Sequence, residues 1–148
     1  MSIPLISAAP KPFKGCNVKM LLNQTIPAST YTAMEFGVAL IDTDGFFDVS
    51  NKTRLTIPAG VKKISLGGQV GGGGVGTQNM VLVFKNGDTG VDTSIAPNIW
   101  NKSKDNVVQL TGRFLDVEEG DYFEFIFRSD ASFSALVART WFNLEVVE

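Results

Sequence analysis

An all-β fold of two packed antiparallel sheets is predicted by three features of the chain. Apolar and polar residues alternate with a period of two from residue 17 to the end, and helical periodicity is nearly absent. Gly, Asn, Asp and Pro interrupt that alternation at short intervals, so the strands are short and their turns tight. No helical stretch separates the strands, which points to a sandwich or jelly roll.

In "VKKISLGGQV" Ile64, Leu66, Gly68 and Val70 fall on one face and Lys63, Ser65, Gly67 and Gln69 on the other, as in a strand with one side covered. "MVLVFKNGD" repeats the pattern, with Met80, Leu82 and Phe84 together, and runs into Asn86-Gly87, a pair that tolerates the positive φ angles of a tight hairpin. The strongest strand is "DYFEFIFR", where Phe123, Phe125 and Phe127 face away from Tyr122, Glu124, Ile126 and Arg128. Leu66, Leu82, Phe84 and these three Phe are the expected core. Further strands are expected at "VKMLLNQ", "YTAMEFGVAL", "TRLTI", "VVQLTGRFL", "FSALVA" and "TWFNLEVV", joined by turns such as "VEEGD".

The first sixteen residues differ. Pro4, Pro10 and Pro12 break any ladder, and Lys11 and Lys14 flank Phe13. Residues 1–16 therefore read as an extended arm, and residues 17–148 as one β domain. Ile3, Leu5, Ile6 and Phe13 are too apolar for a merely solubilising tail and suit docking into a groove on a neighbour; the alternative is a terminus folded back over its own sandwich.

A chain of 148 residues holds one domain of ordinary size, and its 44% hydrophobic content includes eleven Phe but no run long enough to span a bilayer. Membrane insertion is not expected. A net charge of -2, with Lys and Arg scattered, gives no basic stripe for nucleic acid. "MSIPLISAAPKPFKG" lacks the basic start and long apolar segment of a secretory signal. The single cysteine, Cys16, excludes an internal disulfide framework, so stability must come from packing or oligomerisation; Cys16 itself reads as a small apolar filler.

Gly71, Gly73 and Gly76 in "GGQVGGGGVGT" satisfy G-x-G-x-x-G, but a dinucleotide fingerprint must open a helix and here a strand follows. Gly76 precedes Thr77 directly, without the Lys of a P-loop, so the patch reads as a strand end and a loop packed too closely for side chains. With no histidine in the chain, Ser-His-Asp and Cys-His catalysis and Cys/His zinc sites are excluded. Asp42, Asp44 and Asp48 in "DTDGFFD", and Glu118, Glu119 and Asp121 in "EEGD", leave open a carboxylate pair or, in the first group, calcium; both stretches are glycine-containing turns, where solvated turn acids are the commoner use. No catalytic, metal or cofactor residue is assigned, and no cofactor is expected. Lys102, Lys104 and Asp105 read as an exposed loop.

Taken in order, "DTDGFFDVSNKTRLTIPAGVKKISLGGQV", "VLVFKNGD", "LDVEEGDYFEFIF" and "TWFNLEVV" resemble the jelly-roll head of the complement and tumour necrosis factor superfamily, most of all the versions in bacteriophage tail fibres, head fibres and other virion proteins. The likeness rests on Pro58-Ala59-Gly60 before a central strand, the Asn86-Gly87 hairpin, Gly120-Asp121 before Tyr122, and Trp141 or Phe142 opening the last strand. Lys62 and Lys63 stand where the animal members usually place an aromatic, and the glycine patch has no counterpart.

The resemblance implies a jelly-roll domain over residues 17–148 and a homotrimer, with Val61 to Val70, Val107 to Leu115 and Trp141 to Val147 nearest the three-fold axis. It implies a non-enzymatic phage virion protein, made in the host cytoplasm: a fibre knob or capsid decoration that contacts other virion proteins and a host-surface glycan or protein. The alternatives are a secreted or cell-surface carbohydrate-binding module, and a carboxylate hydrolase with Asp42 or Glu118 in a deep cleft.

Overall fold

A computed structural model describes residues 12–76, 78–87, 98–100 and 106–148. Over these residues the chain forms β1 (Gly15–Lys19), β2 (Gln24–Ile26), β3 (Thr32–Ala33), β4 (Val38–Asp42), β5 (Arg54–Thr56) and β6 (Lys63–Gly74). It continues through β7 (Asn79–Lys85), β8 (Asn98–Trp100), β9 (Asn106–Asp116), β10 (Tyr122–Ser129), β11 (Phe133–Ala135) and β12 (Trp141–Val146), with one 3-10 turn at Val137–Arg139. A seven-stranded sheet runs β2-β11-β6-β12-β1-β4, with β9 also paired to β6, and a five-stranded sheet runs β3-β10-β7-β8, with β5 also paired to β10. All pairings are antiparallel, and the first and last strands, β1 and β12, are neighbours. The fold is a two-sheet antiparallel jelly roll.

Alternation sets the core where apolar and polar residues truly alternate. Ile64, Leu66 and Val70 of β6 are buried, as are Phe123, Phe125 and Phe127 of β10, all in one cluster with Phe142 and Leu144 of β12. The expected face of β7 is inverted. Val83 pairs with Phe125 and Val81 with Phe127, so these two valines face the interior, whereas Leu82 pairs with Ile126 and Phe84 with Glu124 on the other side. Leu82 is still buried, at 7% exposure, but outside the main cluster; Phe84 is half-buried with its ring 5.9 Å from Tyr31. In "MVLVF" every position is apolar, so alternation carries no information and the register against β10 decides.

Two expected strands are divided. "YTAMEFGVAL" splits into β3 and β4 because the Gln24 side chain donates to Ala33 O (3.0 Å) and accepts from Glu35 N (2.9 Å), taking backbone groups that a continuous ladder needs. "VKMLLNQ" splits at Leu21 and Leu22, which are exposed while Met20 is buried. Asn86 and Gly87 both adopt positive φ, 54° and 77°, the conformation expected of them, but the next strand to pair with β7 is β8, which begins only at Asn98, and the chain of the expected tight hairpin beyond Gly87 lies outside the described residues. The domain also begins earlier than residue 17: Gly15 and Cys16 pair with Glu145 and Leu144, and Lys14 O accepts from Val146 N at 2.7 Å. Of the expected docking residues, Phe13 is 44% exposed, while Ile3, Leu5 and Ile6 lie outside the described residues.

The glycines of β6 are points of close approach. A Cβ on Gly68 would collide with the Phe125 ring from the opposite sheet, and one on Gly72 would collide with the Ser134 carbonyl of β11. Gly68 thereby opens the space in which Phe125 stacks on Phe142, with centroids 5.0 Å apart.

Candidate functional site

The strands that build the core from the seven-stranded sheet present their other side chains outward. On β12 these are Trp141, Asn143 and Glu145, on β6 Ser65, Gly67 and Gln69, on β1 Asn17 and Lys19, and on β9 Gln109 and Phe114. The register brings them into rows. Asn17 lies opposite Asn143, and Asn143 opposite Gly67, whose missing side chain leaves room for the Asn143 amide: a Cβ there would stand 2.9 Å from its Oδ1. In the adjoining row, Gln109 Nε2 donates to Gln69 Oε1 at 2.8 Å, and Gln69 Nε2 donates to Arg139 O at 2.9 Å.

Two shallow clefts flank the Trp141–Asn143 ridge. One, of about 290 Å³, lies between β12, β6 and β9; the other, of about 570 Å³, lies toward β1 and β4 and is lined by Asn17, Lys19, Leu40, Thr140, Trp141 and Asn143. Asn17 Oδ1 and Asn143 Oδ1 are buried with no hydrogen-bond partner among the described residues. An unpaired buried acceptor costs about 1–3 kcal/mol, so this face gains from any surface that brings donors to it. Around it stand apolar side chains in water: Leu40 at 62% exposure, Ile41 at 44% and Phe114 at 67%. Sequence reasoning singled out Trp141 but missed both asparagines. Their alternation with buried Val18, Phe142 and Leu144 shows which face they take, but nothing in the sequence shows that their oxygens lack partners.

The acidic turns are engaged in structure. Asp42 Oδ1 accepts from Gly45 N (3.0 Å) and Phe46 N (2.9 Å), and its Oδ2 from Phe47 N (3.0 Å). Those three N–H groups tie the Asp42 carboxylate to its own turn, the structural use of an Asp in such a loop. Asp48 accepts from Ser50 N and Oγ, and these two bonds hold its carboxyl below the usual range despite slight desolvation. Among the described residues, no three His, Cys, Asp or Glu side chains gather as a metal site. Cys16 is fully buried, and that burial, aided by the Asp42 charge, pushes its thiol pKa up to about 12.

Asp121 closes the turn between β9 and β10. It accepts from Asn86 Nδ2 (3.0 Å) and Glu118 N (2.9 Å) and pairs with Lys85 Nζ (3.3 Å). Desolvation works to raise its pKa, but the Asn86 and Glu118 hydrogen bonds and Lys85 together outweigh it and hold the carboxyl below its ordinary value. A depressed folded pKa contributes stability above the unfolded value, near 3.9, that disappears as pH falls through the lower folded value. Asp121→Asn is therefore expected to be less stable than the parent at neutral pH, with the gap closing below about pH 4 in urea melts. A gap independent of pH would contradict this.

No family model and no curated protein matches the chain. Solved structures do. The chain superimposes on murine APRIL at pH 5.0 with a TM-score of 0.72 and 11% identity, covering 92% of this chain and 100% of that one. For Eiger TNF from S. frugiperda the TM-score is 0.65 at 9% identity, covering 93% and 94%. For the globular domain of zebrafish complement 1qA protein it is 0.64 at 14% identity, covering 93% and 98%. These likenesses establish the complement and tumour necrosis factor type of jelly roll.

Proposed function

We propose that the chain is a non-enzymatic attachment protein that assembles as a homotrimer through the outer face of its seven-stranded sheet and serves as a structural component of a phage virion. The observation that carries the assembly is the pairing, on that face, of two buried amide oxygens without partners and a surround of exposed Leu40, Ile41 and Phe114. Interfaces combine apolar contact with a limited set of hydrogen bonds, and a second copy supplies both here. The face runs across β4, β1, β12, β6 and β9, and three of these strands, β6, β9 and β12, fall in the segments that the family resemblance sets nearest the axis. The shared fold supports the trimer, and the order of motifs supports the virion role. In this reading residues 1–14 join the trimer to a neighbouring protomer or to the particle, through Ile3, Leu5, Ile6 and Phe13.

Gold-labelled antibody against the chain, applied to purified phage particles, is expected to mark fibres or capsid surface. Deleting residues 1–14 is expected to leave a folded domain and remove the label. A chain found only free in the lysate, or a truncation that attaches like the full chain, contradicts the particle role or the arm, respectively.

One observation favours a second reading, carbohydrate binding. Trp141 beside the amides of Asn17 and Asn143 offers a stacking surface with polar groups at its edge. The two readings compete for one face, so a chain that binds free sugar there must do so without the trimer.

A further inference from the structure

An apolar groove lies at one end of the sandwich, just past the end of β1 and just before the start of β4. Leu21, Leu22 and Val49 wall it at 60%, 80% and 60% exposure, and buried Phe36 floors it, around a space of about 430 Å³. The backbone sets its shape: Gly37 N donates to Lys19 O at 3.0 Å, Phe36 N donates to Lys52 O at 2.8 Å, and Asn23 Oδ1 accepts from Val137 N at 3.0 Å. A Cβ on Gly37 would collide with the Leu21 side chain, so glycine there lets Leu21 lie down as a wall. Three large aliphatic side chains left in water around one hollow gain from any apolar segment that covers them.

The ladder fixes where the groove stands relative to the amino-terminal arm. Lys19 lies opposite Val38 at the groove end of β1 and β4, Cys16 lies opposite Asp42 at the far end, and there Lys14 O accepts from Val146 N. The arm therefore joins the domain at the pole away from the groove, roughly 20 Å from it at about 3.3 Å per residue between Gly15 and Leu21. Ile3, Leu5 and Ile6 precede Pro12 by six to nine residues. An extended segment of that length spans roughly 19–30 Å, which brings these three aliphatic residues to the level of the groove. Residues 2–10 carry no charged side chain, as an occupant of an apolar hollow requires.

We infer that the groove of each protomer holds Ile3, Leu5 and Ile6 of an adjacent protomer in the trimer. This rests on the reading of the arm as a connector and names the surface to which it connects. β1 and β4, whose ends flank the hollow, also form one edge of the assembly face, so a neighbour seated on that face brings its arm alongside. Pro10 and Pro12 favour extended backbone at the residues before them, which disfavours a tight reversal onto the arm's own domain and suits the wider path to a neighbour. Assembly raises the local concentration of that arm to about the millimolar range, enough for a contact of a few aliphatic side chains that is too weak between free chains. Each protomer gives one arm and accepts one, so the exchange closes around the ring and leaves the mass of the trimer unchanged.

The test uses the full chain carrying Leu5→Cys and Leu22→Cys together, treated with a short bismaleimide cross-linker. Native Cys16 stays silent, because it is fully buried and its thiol pKa is pushed up to about 12. On a denaturing gel the doubly substituted chain is expected to run as covalent dimer and trimer, at a yield at least fivefold above that of either single variant. Adding Val49→Asp, at an exposed wall of the groove, is expected to cut that yield at least fivefold while light scattering still gives a trimer. Cross-links confined to single chains would place the arm in its own groove and overturn the proposal. So would a trimer that gives no cross-link, or a yield unchanged by Val49→Asp. A chain that light scattering shows to be monomeric overturns the trimer reading itself, and the arm exchange with it.

Discussion

Phe125→Ala is expected to lose about 3–5 kcal/mol of stability, the range for emptying a fully buried Phe site. The ring is fully buried, stacks on Phe142 and fills the space above Gly68, so three elements from both sheets lose contact at once. Little can move in to fill the void, because the backbone of β6 is held on both sides by β12 and β9. Tyr122→Ala is the control. Tyr122 is half-buried under the Arg54 guanidinium, 4.0 Å from the ring centroid, and its loss is expected to be about 1 kcal/mol or slightly more. Urea unfolding of both variants decides the matter, and equal losses would mean that the two faces of β10 are buried alike.

Phe114→Asp is expected to leave the protomer folded and to weaken its assembly by about 30-fold or more in Kd, the scale of an interface anchor worth 2 kcal/mol. The reasoning is the reverse of that for Phe125. Phe114 is 67% exposed in the single chain, so its removal costs the isolated fold little, and any large effect must come from a partner. Its opposite residue, Ser65, is small, which leaves the ring standing proud of the sheet. Sedimentation across a concentration series, with far-UV circular dichroism to confirm folding, reads the effect. A variant that sediments like the parent would remove Phe114 from the interface.

How far the sequence could be read follows from its local patterns. In "DYFEFIFR" an aromatic row alternates with charged and polar residues, so the core face was legible without a structure. In "MVLVF" it was not, because both faces of β7 are apolar and only the ladder with β10 distinguishes Val83 from Phe84. The divided strand at residues 31–40 was hidden for another reason: the cause is Gln24, nine residues from Ala33, acting through its side chain. The carboxylate turns were recognisable as turns, yet the three N–H groups on Asp42 come from a loop whose path the sequence does not specify. Asn17 and Asn143 were the least visible, since an outward asparagine is ordinary and its unpaired oxygen is a property of the packed face.

The outer face of the seven-stranded sheet is the centre of the functional account, and the mass of the assembled protein tests it most directly. Light scattering on the purified full chain at micromolar concentration is expected to give a mass near three times 16.0 kDa. A mass of a single 16.0 kDa chain under the same conditions would contradict the trimer and the role assigned to that face.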